Sequence, residues 1–346
     1  MTAYSKRLAI ARMLLRPLGL LYGTGMRLRT ALYNCGLLRS RRLPGTVISV
    51  GNLTVGGTGK TPMVLWIAER LSAEGHRPAI LTRGYRGVGK SASSDDAVAD
   101  EVALLRQRLD GRAQFGVGKD RYKNGLSLEK DGAEWFILDD GFQHLELQRD
   151  ANIVLLDATD PFGGGRVLPA GRLREPRSGL ARADIVIITR TGHAPALEER
   201  IRRYTRASIF YAQTQLDEVL RVPLMKERLP ENERRQFKFF AFCGIGNPVA
   251  FYTDLQKWSF SLVRECSLSD HHRYSGSEIQ DLEGEAVAAG ANALICTEKD
   301  AFNMPASFAA TLPIYACRIR LALNDENAFW TAVRAAVGRS QPVTQT

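Results

Sequence analysis

The stretch Thr46–Pro62, TVISVGNLTVGGTGKTP, decides the fold because it joins a strand to a phosphate-binding turn and a helix. Its first five residues are mostly β-branched, which predicts a buried strand over Thr46–Val50. Three glycines follow, and a helix is predicted over Thr61–Ala73, directly after Lys60. A glycine turn at a helix N-terminus presents bare amides to phosphate, the lysine adds a point charge, and the Thr61 hydroxyl is a Mg²⁺ ligand. The stretch therefore predicts an ATP-type site formed by Thr54, Val55, Gly56, Gly57, Thr58, Gly59, Lys60 and Thr61.

The loop departs at one position from the nucleotide-binding pattern G-x-x-x-x-G-K-[ST], because Thr54 stands where that pattern has its first glycine. A chance G-K-T in an ordinary glycine turn before a helix is the alternative interpretation. Three glycines between a strand and a helix favour the phosphate-binding interpretation. We therefore expect the loop to bind nucleotide phosphates.

Strand and helix signals alternate along the rest of the chain. They predict an α/β fold with a mostly parallel sheet flanked by helices, of the P-loop NTPase type, and a smaller second α/β lobe. Predicted strands cover Thr46–Val50, Pro78–Thr82, Gln114–Val117, Trp135–Leu138, Asn152–Leu156, Asp184–Thr189, Phe237–Phe242, Ala293–Cys296 and Ile314–Ile319. Further helices are predicted over Asp100–Leu109 and Pro195–Thr205, and a mobile loop over Gly84–Ala99.

The expected domain organisation has five parts. Residues 1–44 form a basic amphipathic arm, and residues 45–192 form the P-loop core. A helix and a hairpin, Ser208–Gln215 with Val219–Leu224, link the lobes within residues 193–235. Residues 236–337 form the smaller lobe, and residues 338–346 form a flexible tail.

The arm concentrates the charge of the molecule. Residues 1–44 carry nine lysines and arginines and no carboxylate, out of a net charge of +10 for the 346-residue chain. Nucleic-acid-binding proteins more often spread basic residues over the folded domain, so we expect no nucleic-acid partner. Arginines and Pro17 interrupt the leucines of the arm, which excludes a bilayer-spanning run. The pattern favours an interfacial helix on an anionic membrane surface, and a helix packed on its own domain is the alternative.

An apolar strand, Trp135–Leu138, is followed directly by the acid pair Asp139-Asp140. An acid at this point of a P-loop protein holds Mg²⁺, directly or through water. A strand-end aspartate that caps the next turn is the alternative. Two adjacent carboxylates repel each other without a cation, so we predict that Thr61, Asp139 and Asp140 form the Mg²⁺ site.

Three other segments carry candidate catalytic residues. Asp100 begins a predicted helix, where it is either a helix cap, which the spacing alone favours, or a base for an acceptor hydroxyl. Arg174 lies between prolines in the run LPAGRLREP (168–176), where it either neutralises transferring phosphates or forms a surface ion pair. His271 follows Asp270, a carboxylate that can orient its imidazole, and a structural histidine is the alternative.

The run Thr297-Glu298-Lys299-Asp300 follows a predicted strand of the second lobe. It either contacts a purine base or caps a helix, and its sequence does not separate these roles.

Taken in order, these motifs resemble those of the tetraacyldisaccharide 4′-kinases, the lipid A 4′-kinases of Gram-negative bacteria. The resemblance covers about 300 residues, and such collinearity is more specific than any one motif. It is carried by LRPLGLLYG (15–23), VGNLTVGGTGKTP (50–62), LTRGY (81–85), ADEV (99–102), DDGFQH (139–144), RDANIVLLDA (149–158), LPAGRLREP (168–176), FCGIGNP (242–248), SDHH (269–272) and TEKDA (297–301). The chain departs from the family pattern in three places: Ala99 and Val102 flank Asp100-Glu101, Gly163-Gly164-Gly165 stands in place of G-N-G, and Arg172 replaces a proline.

The resemblance implies ATP-dependent, Mg²⁺-assisted phosphorylation of the 4′-hydroxyl of tetraacyldisaccharide 1-phosphate. It also implies a peripheral position at the cytoplasmic face of the bacterial inner membrane. Residue by residue, it makes Asp100 the base, His271 the partner of that base, and Arg174 a phosphate contact.

Two rival functions are open at this point. A P-loop regulatory NTPase or metallochaperone shares the G-G-x-G-K-T turn, but the five scattered cysteines offer no C-x-x-C pair for a metal. A non-enzymatic membrane or nucleic-acid binder is opposed by the intact Lys60, Thr61 and acid pair.

Overall fold

A computed structural model describes residues 15–83 and 99–340. Contacts divide the described residues into two compact units: residues 15–83, 109–213 and 322–340 form the first, and residues 99–108 and 214–321 form the second. The loop predicted over Gly84–Ala99 lies, up to residue 98, outside the described residues. The same holds for residues 1–14 of the arm and residues 341–346 of the tail.

The helices and strands follow one another as α1 (Arg16–Asn34), β1 (Thr46–Asn52), α2 (Lys60–Ala73), β2 (Pro78–Thr82), α3 (Ala99–Leu109), β3 (Gln114–Val117), α4 (Arg121–Lys130), β4 (Trp135–Asp139), β5 (Ala151–Asp157), β6 (Ile185–Thr189), α5 (Pro195–Arg202), β7 (Ser208–Arg221), α6 (Glu231–Arg234), β8 (Phe239–Cys243), α7 (Pro248–Lys257), β9 (Leu262–Ser267), α8 (Gly276–Ala288), β10 (Ala293–Thr297), α9 (Glu298–Phe302), β11 (Ile314–Leu323) and α10 (Glu326–Ser340). Short 3₁₀ turns cover Gly163–Gly165 and Arg177–Arg182.

The sheet of the first unit has the strand order β3-β2-β4-β1-β5-β6-β7, and its pairings are parallel. Every residue of β1 is buried, as expected for a central strand covered on both faces. Because β1 and β4 run in parallel, with Val50 opposite Asp139, the phosphate loop and the acid pair follow the same edge of the sheet. The predicted P-loop α/β fold is confirmed.

In the second unit the strand order is β7-β11-β10-β8-β9. Alternate residues of β8 face opposite sides, as the two-residue period of a strand requires. Phe240 and Phe242 belong to a core cluster with Ile279 of α8, whereas Phe239 and Ala241 belong to a cluster with residues of α7. Helices therefore cover both faces of this sheet as well.

Two sequence predictions of secondary structure are wrong, and one strand was not predicted. The hairpin of Ser208–Gln215 and Val219–Leu224 is replaced by one strand, β7, which runs through Leu216-Asp217-Glu218. Those three residues include neither glycine nor proline, so nothing local turns the chain there. Strand β9 was not predicted, because its pattern is mostly exposed and carries charged residues. At the C-terminus, residues 338–340 belong to α10 rather than to a flexible tail.

Within the two described ranges, 15–83 and 99–340, no helix combines the length and the apolar character needed to cross a membrane.

Candidate active site

The phosphate loop connects the buried end of β1 to α2, which begins at Lys60, one residue before its predicted start. Gly59 is the N-cap residue of α2 and has a left-handed backbone (φ 89°), a conformation that favours glycine. No side chain caps this helix end. The first amides of α2 are therefore available to an anion, as a phosphate site at a helix N-terminus requires.

Hydrogen bonds from two neighbouring segments hold the loop in shape. The Asn52 side-chain amide donates to the Thr58 hydroxyl at 3.0 Å, and the Thr189 hydroxyl donates to the Thr58 carbonyl at 3.2 Å. Thr54 is buried and forms an antiparallel bridge with Leu173. The position of the missing first glycine is thus a β-bridge, which a β-branched residue suits.

Arg172, which stands where the resembled motif has a proline, stabilises the same loop. Its Nη2 donates to the Val55 carbonyl at 3.1 Å, and its own carbonyl accepts from the Val55 amide at 2.8 Å. A Cβ on Gly56 (φ 116°) would lie 2.8 Å from Arg172 Nη2. The backbone conformation explains the glycine at position 56, since the Arg172 guanidinium can move away from an added Cβ.

The acid pair ends β4 and begins a tight turn. Asp139 is buried and accepts a hydrogen bond from the Thr82 hydroxyl at 3.1 Å, while Asp140 has a left-handed backbone (φ 48°). The turn packs across β1 so closely that a Cβ on Gly141 would lie 2.7 Å from Ser49 Oγ, and one on Gly51 would lie 2.6 Å from Phe142 Cβ. Glycine at both positions lets the acid pair sit beside the phosphate loop.

Two cations from distant parts of the chain converge on Asp140. Arg174 Nη1 lies 2.7 and 2.5 Å from the two carboxylate oxygens, and Lys60 Nζ lies 3.6 Å from Oδ1. Burial opposes ionisation of Asp140, but Lys60 and Arg174 outweigh it and hold the pKa of this carboxyl below its ordinary value. Three predicted site residues, Lys60, Asp140 and Arg174, are therefore brought together in the first unit.

Sequence reasoning missed Arg121, the first residue of α4. Its side chain is buried, and its Nη1 atom has no hydrogen-bond partner among the residues that the structure describes. Burial lowers the pKa of Arg121, and the nearby Asp139 and Asp140 oppose that shift. The nearest sequence signal is Asp120, which caps α4 through the Lys123 amide at 2.9 Å and predicts only a helix start.

A second set of contacts connects the acid-pair turn to the loop that carries Arg174. Gln143 Nε2 donates to the Asn52 carbonyl at 2.9 Å and to Glu175 Oε1 at 2.8 Å. Glu175 is buried and also accepts from Arg182 Nη2 at 2.9 and 2.7 Å. Because Glu175 is fixed from both sides, the neighbouring Arg174 has a defined position.

Helix α1 packs on the same loop through two glycines. A Cβ on Gly19 would lie 3.1 Å from Ala170 Cβ, and one on Gly23 would lie 3.2 Å from Val167 Cγ2. The Tyr22 hydroxyl donates to the Arg174 carbonyl at 2.9 Å. The arm is therefore in direct contact with the segment that positions Arg174.

Two predicted catalytic residues belong to the second unit. Asp100 lies within α3, which begins at Ala99. His271 has a left-handed backbone (φ 57°), its amide donates to the Gly244 carbonyl at 3.0 Å, and its Nε2 lies 4.0 Å from Asp270 Oδ1. The catalytic roles of Asp100 and His271 stay predictions.

Comparison with known proteins adds a consistent set of relatives. The family model described as tetraacyldisaccharide-1-P 4′-kinase matches residues 11–338. A tetraacyldisaccharide 4′-kinase of Desulfotalea psychrophila is 39% identical over 339 residues, which cover 90% of this chain and 92% of the relative. One of Geobacter metallireducens is 40% identical over 347 residues, covering 94% and 98%.

Among solved structures, the chain is similar to LpxK from Aquifex aeolicus, crystallised in complex with ATP. The two are 28% identical, with a TM-score of 0.71, and the match covers 94% of this chain and 99% of that structure.

Proposed function

Because this chain belongs to the tetraacyldisaccharide-1-phosphate 4′-kinase family, we propose that it transfers the γ-phosphoryl group of ATP to the 4′-hydroxyl of tetraacyldisaccharide 1-phosphate. The family consists of phosphotransferases with an alcohol acceptor that act in lipid A biosynthesis. Family membership does not favour the rival interpretation as a regulatory NTPase or metallochaperone.

The convergence of Lys60 and Arg174 on one carboxylate, beside an uncapped helix N-terminus, carries the proposal. Phosphoryl transfer needs charge neutralisation and in-line positioning more than covalent chemistry. Two cations 3.6 and 2.5 Å from the same carboxylate form a concentrated positive site. In the reaction, Lys60 and Arg174 bind phosphate oxygens, and the amides of residues 56–61 cradle them.

The residues at the end of β4 also fit Mg²⁺. Carboxylate and hydroxyl oxygens are the ligands this cation prefers, and the lowered pKa of Asp140 keeps its carboxylate ionised. Asp139, Asp140 and Thr61 would hold the ion, which neutralises phosphate charge when bound.

Asp100 and His271 are proposed to act on the acceptor. Asp100 takes up the proton of the 4′-hydroxyl, and His271 orients or stabilises that carboxylate. The proton leaves late in a loose transition state, so a base with an ordinary carboxyl pKa suffices.

Helix α1 is proposed to lie at the cytoplasmic face of the bacterial inner membrane, bound peripherally. Leu21 (72% exposed) and Leu28 (59% exposed) are seven residues apart and share one helix face, opposite Gly19 and Gly23. Exposed Arg16 lies one helical turn before exposed Leu20 and is suited to anionic headgroups. The acyl chains of the substrate then stay in the bilayer during the reaction.

Transfer of radiolabelled γ-phosphate from ATP to tetraacyldisaccharide 1-phosphate in mixed micelles tests the reaction. Label should enter the lipid with the parent chain and with Lys123→Ala, an exposed lysine on α4, but not with Lys60→Ala. ATP hydrolysis that depends on Lys60 but leaves no label in the lipid would overturn the proposed acceptor.

A second experiment tests the base. Asp100→Asn should lose about 100-fold or more in turnover while keeping the affinity for ATP, because general base catalysis contributes that much. A collapse of ATP affinity in this variant would instead make Asp100 a nucleotide-binding or structural residue.

A further inference from the structure

We propose that the run Thr297-Glu298-Lys299-Asp300 is a positioning motif. It fixes two segments to the short helix α9: helix α3, which carries Asp100, and the turn that carries His271. All of these segments belong to the second unit. The inference rests on the catalytic roles proposed for Asp100 and His271, and it assigns a role to residues whose sequence left two roles open.

On one side the motif holds α3 at two points. Glu298 is buried, and its Oε2 accepts from Arg108 Nη1 at 3.2 Å. Lys299 Nζ forms an ion pair with Glu101, the residue next to Asp100. Glu101 and Arg108 are seven residues apart, so they lie on the same face of α3, two turns from each other. Contacts at both points fix the rotation of the helix as well as its position.

The Glu298 carboxylate is itself fixed from the sheet. Arg318, on β11, donates from Nε to Glu298 Oε1 at 2.8 Å and from Nη1 to Glu218 Oε2 at 2.9 Å. Each oxygen of Glu298 therefore has its own guanidinium partner. A charged network of this kind is stable in a buried place because its members satisfy one another.

On the other side the motif holds the histidine turn through Asp300, which is fully buried. Its Oδ1 accepts from the Gly244 amide at 2.7 Å and from the Tyr274 hydroxyl at 2.8 Å. The Gly244 carbonyl in turn accepts from the His271 amide at 3.0 Å. A Cβ on Gly244 would lie 2.7 Å from His272 Cβ, so this approach requires glycine.

Helix α9 organises these contacts by its cap. Thr297 and Asp300 form a capping box, in which each side chain bonds to the backbone amide of the other. The box fixes the first turn of α9, where Glu298 and Lys299 lie. The two residues that reach α3 and the one that reaches the histidine turn are thus consecutive residues of a single rigid turn.

A charge exchange between Glu101 and Lys299 tests the contact with α3. Lys299→Glu and Glu101→Lys should each lower kcat about tenfold or more, since displacement of a reacting group by about 1 Å costs up to about 100-fold. The KM for ATP should stay near that of the parent, because the phosphate loop belongs to the first unit. The double exchange should restore most of kcat, because it re-forms the ion pair with its charges reversed.

Arg264→Met is the matched control. It removes an ion pair with Glu285 in the same unit (3.2 Å) that touches neither α3 nor the histidine turn, and kcat should be unchanged. Single exchanges that keep the kcat of the parent, or a double exchange no more active than the singles, would overturn the proposal.

The histidine side is tested by Gly244→Ala against Gly276→Ala. The added methyl group clashes with the histidine turn at position 244 and meets nothing within 4 Å at position 276. We expect kcat to fall about tenfold or more only for Gly244→Ala, with the KM for ATP unchanged. A kcat equal to that of the parent would overturn this half of the proposal.

Asp100→Asn in the same assay separates this inference from the proposed function. An inactive Asp100→Asn with fully active charge-exchange variants refutes only the positioning role. An active Asp100→Asn refutes the base, whereas loss and rescue in the exchange series would still support positioning of α3 by Lys299.

Discussion

Asp140 shows how the site works at the scale of single residues. Its carboxylate forms ion pairs with Lys60, the first residue of α2, and with Arg174, which lies 34 residues downstream in a loop. Each of the three residues was predicted from its own motif, but their convergence depends on strand order. Two cations therefore share one carboxylate. In the proposed reaction, the cluster keeps both cations in place for a phosphate.

His144, four residues after Asp140, gives a prediction for the pH dependence of stability. Burial, with the guanidinium groups of Arg121, Arg149 and Arg29, lowers its pKa to about 4. Between about pH 6.5 and about pH 4 the unfolded chain therefore binds a proton that the folded chain rejects. The folded state should lose stability as the pH falls through this window, by about 2 kcal/mol between about pH 7.5 and about pH 5.

The measurement is urea unfolding of the parent and of His144→Gln across that range. The variant lacks the imidazole, so its stability should fall less steeply with pH than that of the parent. His193→Gln, at an exposed histidine, controls for the loss of any one histidine. Parallel curves for the parent and His144→Gln would contradict the prediction.

At the scale of elements, α1 is held against the Arg174 loop by small residues rather than by a large apolar face. Gly19 and Gly23 are its buried residues, and Leu18, Leu20 and Leu21 are exposed. Two glycines four residues apart let the helix backbone approach the loop. The geometry of the helix and that of the Arg174 segment should therefore change together.

This coupling predicts opposite effects for two glycines of the same helix. Gly25→Ala meets nothing within 4 Å and should stabilise the protein by up to about 1 kcal/mol, the helix-propensity gain of alanine. Gly23→Leu cannot fit against Val167, so it should lower both the unfolding midpoint and the turnover of lipid substrate. Chemical unfolding and the label-transfer assay measure the two effects. Equal behaviour of Gly23→Leu and Gly25→Leu would show that α1 does not support the site.

Local signals predicted the elements well where burial and turn chemistry agreed. β2 and β3 have the predicted bounds, and α2 differs by one residue. The hairpin prediction failed at β7, because the break was inferred without a turn residue. Strand β9 was not predicted, because an exposed edge strand has no apolar period.

In the candidate site, too, local motifs could be predicted from sequence and long-range contacts could not. Residues within a motif of fixed spacing, such as Lys60 and the acid pair, were predicted from sequence. Arg121, Arg182 and Tyr22 were not, because their contacts join segments far apart in the chain. Only the fold brings such residues together, and a single sequence carries no record of those pairings.

At the scale of the whole molecule, the described basic residues of the arm include two groups with different surroundings. Part of the basic arm belongs to the folded core: Arg42 bonds to the buried Asp150 at 2.8 Å, and Leu43 is buried. Arg16 and Arg27 are exposed on α1 beside the leucines. Among the described residues of the arm, the membrane-facing part that we propose is therefore the outer face of α1.

This distinction decides how membrane binding should be tested. Deleting residues 1–30 removes the leucines but also the Tyr22 hydrogen bond to Arg174, so loss of activity would have two causes. The double substitution of Leu21→Ser and Leu28→Ser changes only the exposed face. It should reduce sedimentation with phosphatidylcholine and phosphatidylglycerol vesicles about tenfold or more, since two leucines no longer enter the interface.

The matched control is the pair Leu224→Ser and Val249→Ser, which removes two side chains that are 71% and 73% exposed in the second unit. These lie outside the basic arm, so vesicle binding should stay at the level of the parent. Added salt should weaken binding of the parent, because exposed arginines contribute by attraction to the anionic lipid. If the Leu21 and Leu28 variant sediments as the parent does, the outer face of α1 is not the membrane contact. Equal losses in both double variants would mean that any exposed apolar side chain drives the binding.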